Sequence, residues 1–385
     1  LAVFVVYAAA LVHGLTIVSF PASASVLKML GHLTDAQYGS IFIPQMLATI
    51  LGSLIASQLG ARAASGRVLT LSLVCACVAE CLLALVPHGG GFPLALAATF
   101  ATGLGFGLAA APLNSFPRQL FPARPDTALV ALHTVLASGF AVGPLIASAV
   151  MSAGLWSLLP AGAALAALTI AAGAWLSLPA VAAIEVEHEA RPGSGPSSHL
   201  GLAFIVIAVL YALAEGTFAN WAVVYLREER GVAEGWAALS LSVFWFALAG
   251  GRLAISVLLA RFSPEAIWRL LPVLMAIAFL GLPSVRGPAS GLVCFALAGL
   301  GCSAFFPLTV SLAAQHVRGG AARAGSLLTA ALMVGVGVGS FVIGPLRGGA
   351  SLATLYRLSS AYPLAALGVC LWLALRGRRA AQPSQ

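Results

Sequence analysis

GSLIASQLGAR, Gly52 to Arg62, and GRLAISVLLAR, Gly251 to Arg261, are one word written twice. Leu54 and Leu253, Ser57 and Ser256, Leu59 and Leu258, Ala61 and Ala260, and Arg62 and Arg261 stand in register, half a chain apart. Other echoes keep nearly the same offset. Gly-Leu-Gly at Gly103 recurs at Gly299, each followed at similar distance by a proline, Pro112 and Pro307. Gly143-Pro144 recurs as Gly344-Pro345. Repeats at a constant spacing point to duplicated structural units. The chain is therefore expected to consist of two homologous halves.

Composition says what the halves are made of. Hydrophobic residues make up 61% of the 385 and charged residues 8%, with mean hydropathy +1.02. Soluble domains carry about 25% charged residues. A surface this apolar is suited to a lipid bilayer, where spans need about twenty apolar residues each. Twelve such stretches fall between charged or Gly/Pro-rich breaks: 2–27, 37–57, 67–86, 92–117, 127–152, 155–182, 201–226, 234–260, 265–284, 288–315, 321–346 and 352–375. The first is too long for a signal peptide and lacks its basic flank and cleavage site. The fold class expected is all-α, twelve membrane helices in two pseudo-symmetric groups of six.

The long polar break, AIEVEHEARPGSGPSSHL at 183–200, joins three glutamates to Pro, Gly and Ser. Such a segment cannot bury a core and reads as a linker. It divides the chain into a half at 1–182, the linker at 183–200 and a half at 201–385. Arg and Lys are about twice as frequent in the loops on the side of the termini, which by the positive-inside rule makes both termini cytoplasmic. The localisation expected is a bacterial-type inner membrane, multi-pass. The net charge of +8 is scattered through short loops. It belongs to this topology and not to nucleic-acid binding.

Motifs exclude several chemistries. The six cysteines lie inside apolar stretches with no histidine at metal-ligand spacing, so free thiols are expected and no metal site. Gly89–Gly91 is a turn without the Lys-Ser/Thr of a phosphate loop. No serine–histidine–carboxylate constellation is evident. Neither a cofactor nor an enzymatic activity is expected. Thr34 and Gln37 match a capping box that opens a helix.

Two six-span halves in parallel orientation resemble the major facilitator superfamily of transporters. The repeated word stands where that family carries its loop motif between helices 2 and 3 and between helices 8 and 9. Gly52, Gly60, Arg62, Gly251, Arg252 and Arg261 are then candidates for gating. Ser57 and Gln58 replace the acid and base usual in the motif, so a charge relay is not implied. Longer stretches resemble the fucose-permease-like branch of sugar–proton symporters: Gly103–Leu145 with its Asn114, Leu-Phe-Pro and His133, AEGTFANWAVVYL at Ala214–Leu226, SVFWFALAGGRL, and GLGCSAFFPLTVSLA. That branch carries an acid on helix 1 and another four residues before the helix-4 Asn. Here the first helix has no acid and the second position is Ala110, so neither sugar specificity nor the usual proton carriers follow. Gly139-x-x-x-Gly143-Pro144 resembles a helix-5 motif of drug exchangers.

Ionisable side chains inside spans cost at least about 2.5 kcal/mol each at mid-bilayer, and each requires a reason. Glu215 in the seventh stretch and His13 in the first hold similar places in their repeats. The expectation is that Glu215 binds a proton or other cation and that His13 is a second polar group. Asn114 and His133 lie at similar depth on neighbouring helices and can bond each other. Asn220, Trp221 and Trp245 are candidate solute contacts, an indole being able to stack on a ring. Asn220 and Trp221 are expected to join Glu215 only if Gly216 breaks the helix. Glu80 is expected to pair structurally, and Arg252 to extend to the surface. The partners expected are a small-molecule substrate, a proton or other ion, and the lipid bilayer, with a monomeric chain. The function expected is secondary transport of a small organic solute, proton-coupled; the alternatives are efflux by proton antiport and a non-transporting sensor.

Overall fold

A computed structural model of the chain describes residues 1–60, 65–178, 199–314 and 320–380. Most of the expected linker lies outside these residues, as does Arg62. Among the described residues, twelve helices are long and apolar enough to cross a membrane. We number them α1 (Ala2–Ala22), α2 (Asp35–Ala56), α3 (Ser65–His88), α4 (Gly91–Pro117), α5 (Thr127–Ser152), α6 (Leu158–Ser177), α7 (Leu200–Glu228), α8 (Glu234–Leu258), α9 (Pro264–Ser284), α10 (Pro288–Ala313), α11 (Leu327–Leu346) and α12 (Leu352–Arg376). In hydrocarbon every backbone polar group must be bonded within the protein, which helices achieve segment by segment. An even number of spans puts both termini on one face of the bundle, here called the terminal face; the other is the far face.

The expected capping box forms at the start of α2. The Thr34 side chain accepts from the Gln37 amide, and the Gln37 side chain accepts from the Thr34 amide at 2.9 Å. The tenth expected span, α10, forms with one irregularity. Its helix is interrupted at Ser303–Ala304, between Pro288–Cys302 and Phe305–Ala313. Pro307 supplies the physical reason: it has no N–H to give to the carbonyl four residues earlier, which is Ser303.

The two halves repeat the same packing. In the first, α1 lies on α5, α2 on α4 and α3 on α6; in the second, α7 lies on α11, α8 on α10 and α9 on α12. The echoed glycines sit at the crossings. A Cβ on Gly103 would strike the carbonyl of Gln45 in α2, and one on Gly299 the carbonyl of Phe244 in α8. Gly52 of the repeated word abuts Leu104 and Gly107 of α4; Gly251 abuts Leu300 and Ser303 of α10. These two glycines thus serve helix crossing within a half, where small residues let backbones approach. Gly60 ends the helix of α2 and Arg261 is exposed just beyond α8.

Gly14 of α1 abuts Leu136 and Gly139 of α5, as Gly216 of α7 abuts Val336 of α11. The Gly139–Gly143 motif is therefore the seat of α1 on α5, a packing surface. The halves meet along α5 with α8 and α2 with α11, contacts that exchange under the same pseudo-two-fold.

Candidate functional site

Between the halves lies a cavity of about 330 Å³, lined from α1, α2, α4, α5, α7, α8, α10 and α11. That is the low end of the 300–1,000 Å³ of small-molecule sites. Phe42, Phe106, Phe140, Trp245 and Phe306 supply aromatic wall, while Met46, Leu136, Leu248 and Leu332 supply aliphatic wall. Polar groups are few: Gln45, Thr49, His133, Tyr211, Glu215, Asn220 and Arg252.

The interrupted α10 builds the charged corner. Its break frees two carbonyls, and side chains from neighbouring helices take them. Arg252 of α8 donates its Nε–H to the Ser303 carbonyl at 2.9 Å. Tyr211 of α7 donates its hydroxyl to the Cys302 carbonyl at 3.2 Å. Irregular backbone at membrane depth is tolerated where it faces a cavity and finds such partners. Glu215 stands one turn from Tyr211 and half-buried, with Tyr211 and Arg252 as the side chains close enough to act on its carboxyl. Arg252 is thus exposed, as expected, and also lines the cavity, where the Ser303 carbonyl fixes its direction.

Other expected residues separate into two groups. Trp245 lines the cavity, its ring against Phe140 across the interface between the halves at 4.9 Å. His133 lines it too, and its Nε2 lies 3.2 Å from the Asn114 side-chain oxygen, the bond permitted by their depths. Asn114 stays off the wall. Asn220 reaches the wall on an unbroken helix, with its amide bonded to Ser340 of α11 at 2.6 Å. No break at Gly216 is needed, because the cavity-facing arc of α7 is broad.

Trp221 and His13 stand outside the cavity, the former as an unbroken α7 implies. Trp221 is fully buried, donating to the Ser340 carbonyl at 2.7 Å with Tyr38 edge-on to its ring. It is part of the α7–α11 seam, on a different arc of α7 from Glu215. His13 is buried with its Nε2 3.1 Å from the Ser72 hydroxyl of α3. Phe106 packs edge-on against the imidazole at 6.4 Å and takes its place on the cavity wall. Glu80 is fully buried in α3, outside the cavity, with Ser19 of α1 close enough to act on its carboxyl.

Sequence reading missed the closure of the far face. Lys28 pairs with Asp35 and Glu228; Arg347 pairs with Asp35, Glu228 and Glu229. Lys28 and Asp35 belong to the first half, the other three residues to the second, so the network fastens half to half. Glu229 also accepts from the amides of Leu352 and Ala353 at the start of α12, the latter at 3.0 Å, an arrangement the helix dipole favours. Beneath it, Gly39 of α2 abuts Phe341 and Gly344 of α11, and Tyr38 donates to the Asn220 carbonyl at 2.9 Å. The only available signal was that these charges flank far-face span ends.

The comparisons agree with this architecture. Residues 2–340 match the model of the Major Facilitator Superfamily, and the chain belongs to that family of multi-pass membrane transporters. Among solved structures it is similar to the nucleoside transporter NupG, at 13% identity and TM-score 0.75, covering 96% of this chain and 98% of that one. A D-xylose-proton symporter matches at 16% identity and TM-score 0.75, with 95% and 96% covered. A bacterial homolog to the human lysosomal transporter Spinster, inward-facing and occupied, matches at 14% identity and TM-score 0.70, with 97% and 93% covered. At these identities the likeness is one of fold. No curated protein matched the sequence.

Proposed function

We propose that the chain is a secondary transporter, not an enzyme, that moves a small organic solute across a bacterial-type inner membrane with proton coupling. The halves 1–182 and 201–385 rock about the cavity and expose it to each side in turn, the termini being cytoplasmic. The observation that carries this reading is the cavity itself: it lies between pseudo-symmetric halves, holds Glu215 and Arg252 together, and sits beneath a far face fastened by ion pairs. In this arrangement the far face is the periplasmic gate, shut, and solute reaches the cavity from the cytoplasm. Glu215 is the proton-binding group. The resemblance to the fucose-permease-like branch supports symport; with no acid on helix 1, Glu215 of the second half is the group this reading assigns to coupling.

The test is exchange in sealed liposomes. Purified protein is reconstituted with an unlabelled solute inside and the same solute, radiolabelled, outside, with no pH gradient, across sugars, nucleosides, carboxylates and amines. Protein-dependent entry of label for one class is expected. Absence of exchange for every class would sink the transport reading.

A further inference from the structure

The cavity pairs an anchored cation with an apolar wall. Arg252 spends its Nε–H on Ser303, which fixes the guanidinium plane and leaves Nη1 and Nη2 without a hydrogen-bond partner among the described residues. Two parallel N–H donors held in this way match a carboxylate in geometry and charge. Direct ion pairs among the described residues all lie at the far face. Glu215 therefore acts on Arg252 across space without occupying its donors. Around this corner the wall is Phe106, Phe140, Trp245 and Phe306, suited to a ring or other flat apolar body.

Glu215 decides the second half of the inference. A solute carboxylate entering beside an ionised Glu215 sets two negative charges against one guanidinium, and the two carboxylates repel each other. Protonation of Glu215 removes that conflict. The other groups facing Glu215 are Tyr211 from its own helix, Cys302 of α10 and Arg252 of α8; His133 of α5 faces Arg252. None of them offers a second fixed cation at the carboxylate.

We propose that the solute is a small carboxylate with an apolar, aromatic body, gripped by Arg252, and that its binding draws one proton from the aqueous phase onto Glu215. The step balances: carboxylate and proton enter together, Glu215 passes from carboxylate to carboxylic acid, and both leave when the cavity opens to the other side. This assignment rests on the transport reading and names the substrate class of the same site.

Binding is measured by titration calorimetry in detergent, with 3-phenylpropionate and its neutral amide as probes, at about pH 6 and about pH 8, where the probe acid remains ionised. On wild-type protein the acid is expected to bind at least about tenfold tighter than the amide, a difference of about 1.4 kcal/mol, and tighter at the lower pH. Glu215→Gln is expected to keep the tight site and lose its pH dependence. Arg252→Gln is expected to bring acid and amide to equal affinity, and Arg252→Lys to restore part of the preference. Equal affinity of acid and amide on wild type, no binding of the acid, or an unchanged pH dependence in Glu215→Gln would each overturn the proposal. The wild-type comparison needs no variant to fold. Exchange of neutral solutes alone would overturn this assignment and leave the transport reading standing; carboxylate binding without exchange would do the reverse.

Discussion

Glu215→Gln is expected to abolish concentrative uptake while leaving exchange intact. In wild-type liposomes with a one-unit inward proton gradient, one coupled proton supports accumulation of about tenfold, since 1.4 kcal/mol is a factor of ten. The amide matches the carboxyl in shape and cannot carry a proton. Solute would then enter only until inside and outside concentrations are equal. Counterflow of labelled solute needs the loaded cavity to reorient but needs no net proton movement, and it should persist. The pattern separates a coupling role from a packing role. If Glu215 merely steadied α7 against α10, both activities would fall together; if it were idle, both would remain. Glu215 is suited to the role because its carboxyl faces the cavity beside Tyr211 and Arg252.

Arg347→Ala is expected to unfasten the far face. Arg347 makes three of the five ion pairs there. Without it, Asp35, Glu228 and Glu229 gather around Lys28 alone, three carboxylates to one ammonium. Partly exposed pairs contribute about 0.2–1 kcal/mol each, so the loss is on the order of 1.4 kcal/mol, with carboxylate repulsion added. The ratio of closed to open far face should fall about tenfold. Spin labels at Met29 and Gly349, both exposed and on opposite halves, would report it in a background with the six cysteines replaced. A single short distance is expected in the parent, and a second, longer population in Arg347→Ala. An unchanged distribution would mean that the glycine contacts of α2 with α11, and not the charges, hold that face shut.

The fold was legible because its determinants are long and periodic. Twelve apolar runs can hardly be anything but spans, and the repeated word located the internal symmetry. The echoed glycines proved more informative than a loop motif, since each pair marks the same helix crossing in its half. Glu215 was legible as an acid without a local partner in an apolar run. Direction was not legible. Arg252 is exposed and lines the cavity as well, its direction set by a carbonyl that Pro307, on another helix, leaves free. Trp221 and Trp245 carry the same chemistry in sequence. Only the packing of α11 on α7 removes the first from the wall, while Phe140 of the opposite half meets the second. His13 matched Glu215 by repeat position, yet Ser72 holds it and Phe106 screens it. The far-face network joins residues from three distant segments, none of which forms a motif alone.

The central claim is that solute and proton cross together through this cavity, and lumenal pH in sealed liposomes tests it most directly. Protein is reconstituted with a trapped pH dye, candidate solute is added outside without an imposed gradient, and passive permeation of weak acids is subtracted using protein-free vesicles. The account predicts protein-dependent acidification of the lumen on adding solute, absent in Glu215→Gln. Alkalinisation, or solute entry with no change of pH, would contradict it.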